Sequence, residues 1–237
     1  MNSGLVLLCI NSAAVALLHT LMGPDHYVPF IVMARARSWS GWRTTMITLA
    51  CGIGHVGSSV VLGLIGVACG LGIQKITHIE SLRGNLAAWV LIAFGAVYTA
   101  WGLRRAYRSQ VHTHSHTHDG AGYHVHAHAH DHEHAHVHDT EAVVSLTPWI
   151  LFTIFVLGPC EPMIPLVMYP AASSNWLGVG FVTVVFGAIT IATMLTVVHL
   201  SLYGVRLVPL RRMERYAHAL AGATILLTGC ALQVFGL

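Results

Sequence analysis

Hydrophobic positions run along this chain in long blocks, broken by short polar stretches. Six apolar segments stand out, at about 4–34, 44–74, 84–103, 147–171, 175–205 and 214–237. A helix needs about 20 residues to cross the hydrocarbon core of a bilayer. The segments therefore predict an all-α integral membrane protein with six transmembrane helices. The first, second and fifth run to about 31 residues each, too long for an upright helix, so they must tilt, kink or break. Gly23-Pro24 in the first segment and Gly158-Pro159 in the fourth supply breaks, because proline lacks the helical N–H and clashes with the preceding turn.

The polar stretches set the orientation. Arg35, Arg37 and Arg43 follow the first segment, Arg104, Arg105 and Arg108 the third, and Arg206, Arg211, Arg212 and Arg215 the fifth. Only Lys75 and Arg83 fall on the other side. The positive-inside rule then predicts three cytoplasmic loops and both termini outside. A bacterial cytoplasmic (inner) membrane is the expected location. Met1-Asn2-Ser3-Gly4 lacks the positive region of a cleavable signal, so the first segment is expected to be retained.

The two halves resemble each other at a spacing of about 135 residues. Gly23-Pro24-Asp25-His26 matches Gly158-Pro159-Cys160-Glu161, and each is followed by a proline, Pro29 or Pro165. Cys51-Gly52-Ile53-Gly54-His55 aligns with Phe186-Gly187-Ala188-Ile189-Thr190. A repeat of three helices crosses the membrane an odd number of times, so the second copy must be inverted, as in many transporters. The expected organisation is a first three-helix repeat (1–107), a histidine-rich loop (108–145) and a second three-helix repeat (146–237), each repeat opening with a Gly-Pro-broken helix.

Composition sharpens this picture. Hydrophobic residues make up 55% of the 237, charged residues only 9%, and the formal net charge is +3. Mean hydropathy is +0.66. Disordered chains, disulfide scaffolds, most soluble enzymes and nucleic-acid binders are excluded on these grounds. The five cysteines form no close pair. Histidine, at 18 residues, outnumbers Lys plus Arg and Asp plus Glu. Twelve histidines alternate through the loop: His112, His114, His116, His118, His124, His126, His128, His130, His132, His134, His136 and His138. Such tracts gather metal, and with no apolar set to bury the loop is expected to be disordered without it.

His19, His26, His55 and His199 lie within the apolar segments, and seven of the nine acidic residues lie in loops or at their edges. The two exceptions are Asp25 and Glu161, each just after a Gly-Pro. A carboxylate inside the bilayer costs about 2.5–3.5 kcal/mol on insertion scales, so a functional role is expected. Imidazole with carboxylate suits a first-row divalent ion. The candidate metal ligands are His19, Asp25, His26, His55 and Glu161, with His199 and Cys160 as weaker members.

His19-Thr20-Leu21-Met22-Gly23-Pro24-Asp25-His26 and Gly54-His55-Val56-Gly57-Ser58-Ser59 resemble the motifs of the nickel/cobalt transporter superfamily of permeases, efflux proteins and urease-accessory membrane proteins. The first motif is one residue longer here than the permease form. The second half, around Gly158-Pro159-Cys160-Glu161-Pro162, looks more like the sulfite-exporter and cytochrome-biogenesis membrane families. The resemblance implies metal contact by His19, Asp25, His26 and His55. It implies secondary transport of Ni or Co first and Zn next. A cytoplasmic histidine loop suits collecting metal for efflux, which slightly favours export, and competition between protons and metal for the ligands offers proton exchange as the coupling. No enzymatic activity, catalytic residue or cofactor is expected. The partners are divalent metal ions and membrane lipid, with no nucleic acid, and a homo-oligomer is compatible with the sequence. An anion or small-metabolite exporter and a membrane metal sensor or chaperone are the other readings.

Overall fold

The structure is a computed structural model that describes residues 3–108, 112–118, 121–128, 146–206 and 214–235. Five helices are long and apolar enough to cross a membrane, and two shorter apolar helices accompany them. Large apolar side chains such as Leu7, Ile10, Trp89, Val97, Leu177 and Leu227 stand exposed on these helices. Such a surface suits a membrane-embedded protein.

The first apolar segment is broken where its Gly-Pro falls. Helix α1 (Ser3–Met22) stops at Gly23, a 3-10 turn takes Pro24–His26, and α2 (Val28–Ala36) resumes. Next come α3 (Gly41–Ala68), started by the Ser40 side chain accepting from the Arg43 N–H, and α4 (Ile73–Arg108). The second half repeats the break. Helix α5 (Leu146–Leu157) ends before Gly158-Pro159, and α6 (Met163–Ala172) follows. Then come α7 (Trp176–Arg206), a 3-10 turn at Glu214–Tyr216 and α8 (Ala217–Phe235). Both resumed half-helices end alike. After α2, Ser38 takes φ 49° and Trp39 N–H bonds Ala34 O at 2.9 Å; after α6, Ser174 takes φ 55° and Asn175 N–H bonds Pro170 O at 2.9 Å. These six-to-one bonds satisfy carbonyls that a helix end leaves open.

One boundary differs from the sequence reading. The third segment was expected to start near 84, but α4 begins at Ile73, and Glu80 and Arg83 lie inside it. Glu80 is not a loop residue: it is fully buried. Part of the histidine loop is among the described residues. His112–His118 (β1) and Ala121–His128 (β2) pair as an antiparallel hairpin, with His112 opposite His128, His114 opposite His126 and His116 opposite His124. A period of two is the period of a strand. His130, His132, His134, His136 and His138 lie outside the described residues, as do 207–213 and the ends of the chain.

Glycines set how the long helices pack. A Cβ on Gly95 or Gly102 of α4 would strike the backbone of Leu226 or Ala219 in α8, and one on Gly222 of α8 would strike Thr99 of α4. The two helices therefore lie backbone to backbone. They run antiparallel, since rising numbers in α4 meet falling numbers in α8. The α3–α7 pair is antiparallel too: Thr45 meets His199, Gly52 meets Ile191 and Val56 meets Gly187. Helix α1 packs on α7, while α5 and α6 pack on α3. Small residues allow this close approach where no water drives helices together.

Candidate metal centre

The break at Gly23-Pro24 folds two histidines onto one another. Seven residues of continuous helix would separate His19 and His26 by about 10 Å along the axis. The 3-10 turn instead brings their ring centroids to 4.8 Å. Helix α3 presents His55 from a different element, its ring 4.9 Å from His26 and 6.2 Å from His19. One nitrogen of each ring lies within 4.8 Å of the others. His26 and His55 are buried, and His19 is partly so.

The surroundings of the rings fix their tautomers. His26 Nδ1 lies 3.1 Å from Gly23 O and 3.2 Å from Asp25 Oδ1. His55 Nδ1 lies 3.3 Å from Phe155 O. A carbonyl or carboxylate oxygen only accepts, so both Nδ1 atoms carry the proton and donate. Both Nε2 atoms are then bare in the neutral rings, and they stand 3.2 Å apart. Two lone pairs at that distance repel unless a cation sits between them. His19 Nε2 is likewise buried with no hydrogen-bond partner. Two nitrogens each about 2.0 Å from a tetrahedral ion stand about 3.3 Å from one another. The His26–His55 spacing suits two ligands of one divalent ion, and His19, with the three ligand atoms spread over as much as 4.8 Å, completes the set by a shift of its ring inward of about half an ångström or more.

Asp25 stands behind His26. Its carboxylate accepts from Nδ1, the carboxylate–histidine arrangement that orients a metal-binding ring and raises its basicity. Its side chain is 24% exposed and borders two cavities, of about 240 and 390 Å3, that flank the histidines. Glu161, in the turn between α5 and α6, borders the same two cavities and is exposed. Cys160 is fully buried and packs among Ala16, Val56, Met163 and Phe186. Neither joins the three-histidine group. His199 is farther off. It is exposed and pairs with Thr45 at 2.8 Å, and Thr45 lies ten residues from His55, about 15 Å along α3.

The sequence reading missed an ion pair beside the centre. The Arg83 guanidinium donates to Glu80 Oε2 at 2.7 Å, to Ser58 Oγ at 2.9 Å and to Val156 O at 2.6 Å. Ser58 in turn donates to His55 O at 2.9 Å, and Val156 follows the residue whose carbonyl holds the His55 ring. Arg83 thus ties α4 to both segments that position His55. The i, i+3 spacing of Glu80 and Arg83 was the available signal. The charges of Lys75, Glu80 and Arg83 dilute the apolar pattern at the start of α4 and give that turn the look of a loop edge.

No family model, curated protein or solved structure matches this chain. What the chain does must be argued from its own residues.

Proposed function

We propose that this protein is a secondary transporter of divalent transition-metal ions, Ni or Co first and Zn next. The observation that carries the reading is the set of three imidazoles with two bare Nε2 atoms facing each other at 3.2 Å inside an apolar helical body. Imidazole is a ligand for first-row divalent ions, whereas Mg and Ca lean on oxygen. The ion is the cargo, held by His19, His26 and His55, with Asp25 orienting His26.

Several features support six crossings built as two inverted repeats. The second helices of the two halves, α3 and α7, are antiparallel, as are the third helices, α4 and α8. Both first helices break at Gly-Pro, and both resumed halves end on a left-handed serine. Inverted repeats with broken helices suit alternating access around a site at their interface. Arg37 and Arg105 both stack on Trp101 at one end of the bundle, which favours that end as cytoplasmic. The histidine loop would follow α4 on that side, where it can gather metal for export. A bound imidazole must be unprotonated, so protons compete with metal and exchange is a ready coupling.

The anion-exporter reading finds a part-buried cation in Arg83, but its guanidinium is committed to Glu80, Ser58 and Val156. A sensor or chaperone would bind metal and move none. The test is nickel and cobalt flux in proteoliposomes, with wild type against His26→Ala and Asp25→Ala. Wild-type flux that both variants reduce is expected. Identical profiles, or no flux in wild type, would refute transport through this centre.

A further inference from the structure

Hydroxyls in apolar helices normally bond back to their own backbone, four residues earlier. Eight threonines do so among the described residues, Thr20, Thr44, Thr99 and Thr228 among them. Several buried hydroxyls among the described residues do not. Thr48 Oγ1, Thr183 Oγ1 and Thr190 Oγ1 are buried with no hydrogen-bond partner, while Ser59 Oγ stands against the Glu80 carboxylate. The three threonines lie on α3 or α7, the antiparallel pair beside His55.

Their positions follow the repeat. Thr48 and Thr183 are 135 residues apart, and so are His55 and Thr190. Each pair on one helix is separated by seven residues, two turns, so it shares a face. With Gly52 against Ile191 and Val56 against Gly187, Thr183 lies level with a point just past Ser59 on α3. Thr48 lies beyond His55 in the opposite direction. The two threonines therefore bracket His55, Thr48 about 10 Å and Thr183 about 8 Å from it along the helix axis. Leaving a buried hydroxyl unsatisfied costs about 1–3 kcal/mol, and a bond to the preceding turn was available to each.

We infer that the three threonine hydroxyls line the route of the cation between the centre and the two faces, Thr48 toward the end that carries Arg43, Thr183 toward the other. Their oxygens stand in for hydration water as the ion leaves the imidazoles. They are weaker ligands than imidazole for such an ion, and passage requires sites that hold it loosely. The inference rests on the transport reading and adds the path to it.

The test uses the full chain in proteoliposomes and pairs nickel flux with nickel binding by calorimetry. Thr48→Val and Thr183→Val remove the oxygen and keep the shape. Flux should fall about tenfold in each, binding should stay within about twofold of wild type, and Thr48→Ser and Thr183→Ser should restore flux. Thr224→Val and Thr228→Val, whose hydroxyls bond back to their own helix, should transport as wild type. Wild-type flux in the Thr48→Val and Thr183→Val variants would overturn the path and leave the transport reading standing. So would loss of binding in step with flux. A wild-type protein that binds nickel but moves none would overturn the transport reading, and the path with it.

Discussion

His26 is held from both sides: Gly23 O and Asp25 Oδ1 take its Nδ1 proton, and its Nε2 faces that of His55. Substitution of His26 by alanine should remove one ligand outright and abolish high-affinity nickel binding in calorimetry. Asp25→Ala should act more gently, weakening affinity about 10- to 100-fold, as losing the partner of a metal-binding histidine does. Equal losses in the two variants would instead make Asp25 a direct ligand. Gly23 has its own constraint, because a Cβ there would sit 2.5 Å from His26 Nδ1 and 2.8 Å from Asp25 Oδ1. Gly23→Ala should therefore cost metal affinity while the helices remain, which circular dichroism beside the binding isotherm would show. Acid should release the ion, since each ligand binds only unprotonated. Affinity should fall as pH drops, and potentiometry should detect protons released on metal binding at mildly acidic pH. The grouping of His19, His26 and His55 was legible from type and spacing. The role of Asp25 behind His26 was not, because spacing says nothing about which oxygen meets which nitrogen.

At the scale of elements, the Gly-Pro dipeptides were readable because proline's lost N–H acts locally. The start of α4 was not. Lys75, Glu80 and Arg83 made the stretch look like a loop, whereas Glu80 and Arg83 neutralise one another inside the bundle. Breaking a buried pair by removing one partner costs about 3–5 kcal/mol. Glu80→Ala should accordingly lower the thermal midpoint of the detergent-solubilised protein far more than Lys75→Ala, since Lys75 is exposed. Similar midpoints for the two variants would mean that the pair holds little. Cys160 and His199 lie apart from the three-histidine group. Both residue types favour metal, but one is packed in the core and the other meets a threonine far from the centre. A residue's type does not reveal its neighbours across the fold.

At the scale of the whole molecule, the two Gly-Pro dipeptides mark two broken segments. A spacing of about 135 residues foretold paired breaks, and matching helix ends and antiparallel partners accompany them. The hairpin in the histidine loop was not foretold, because a strand without an apolar face offers the sequence no burial to argue from. Orientation has its own check: single cysteines placed at position 110 and at Gly72, in a cysteine-free background, should label from opposite sides of the membrane. Labelling from the same side would contradict an α4 that crosses. The central claim, one divalent ion held by three imidazoles, is tested most directly by anomalous X-ray scattering from the nickel-loaded protein. A single strong peak within bonding distance of nitrogens from His19, His26 and His55 is expected. A map with no peak there, or with nickel bound elsewhere in the helical body, would contradict the account.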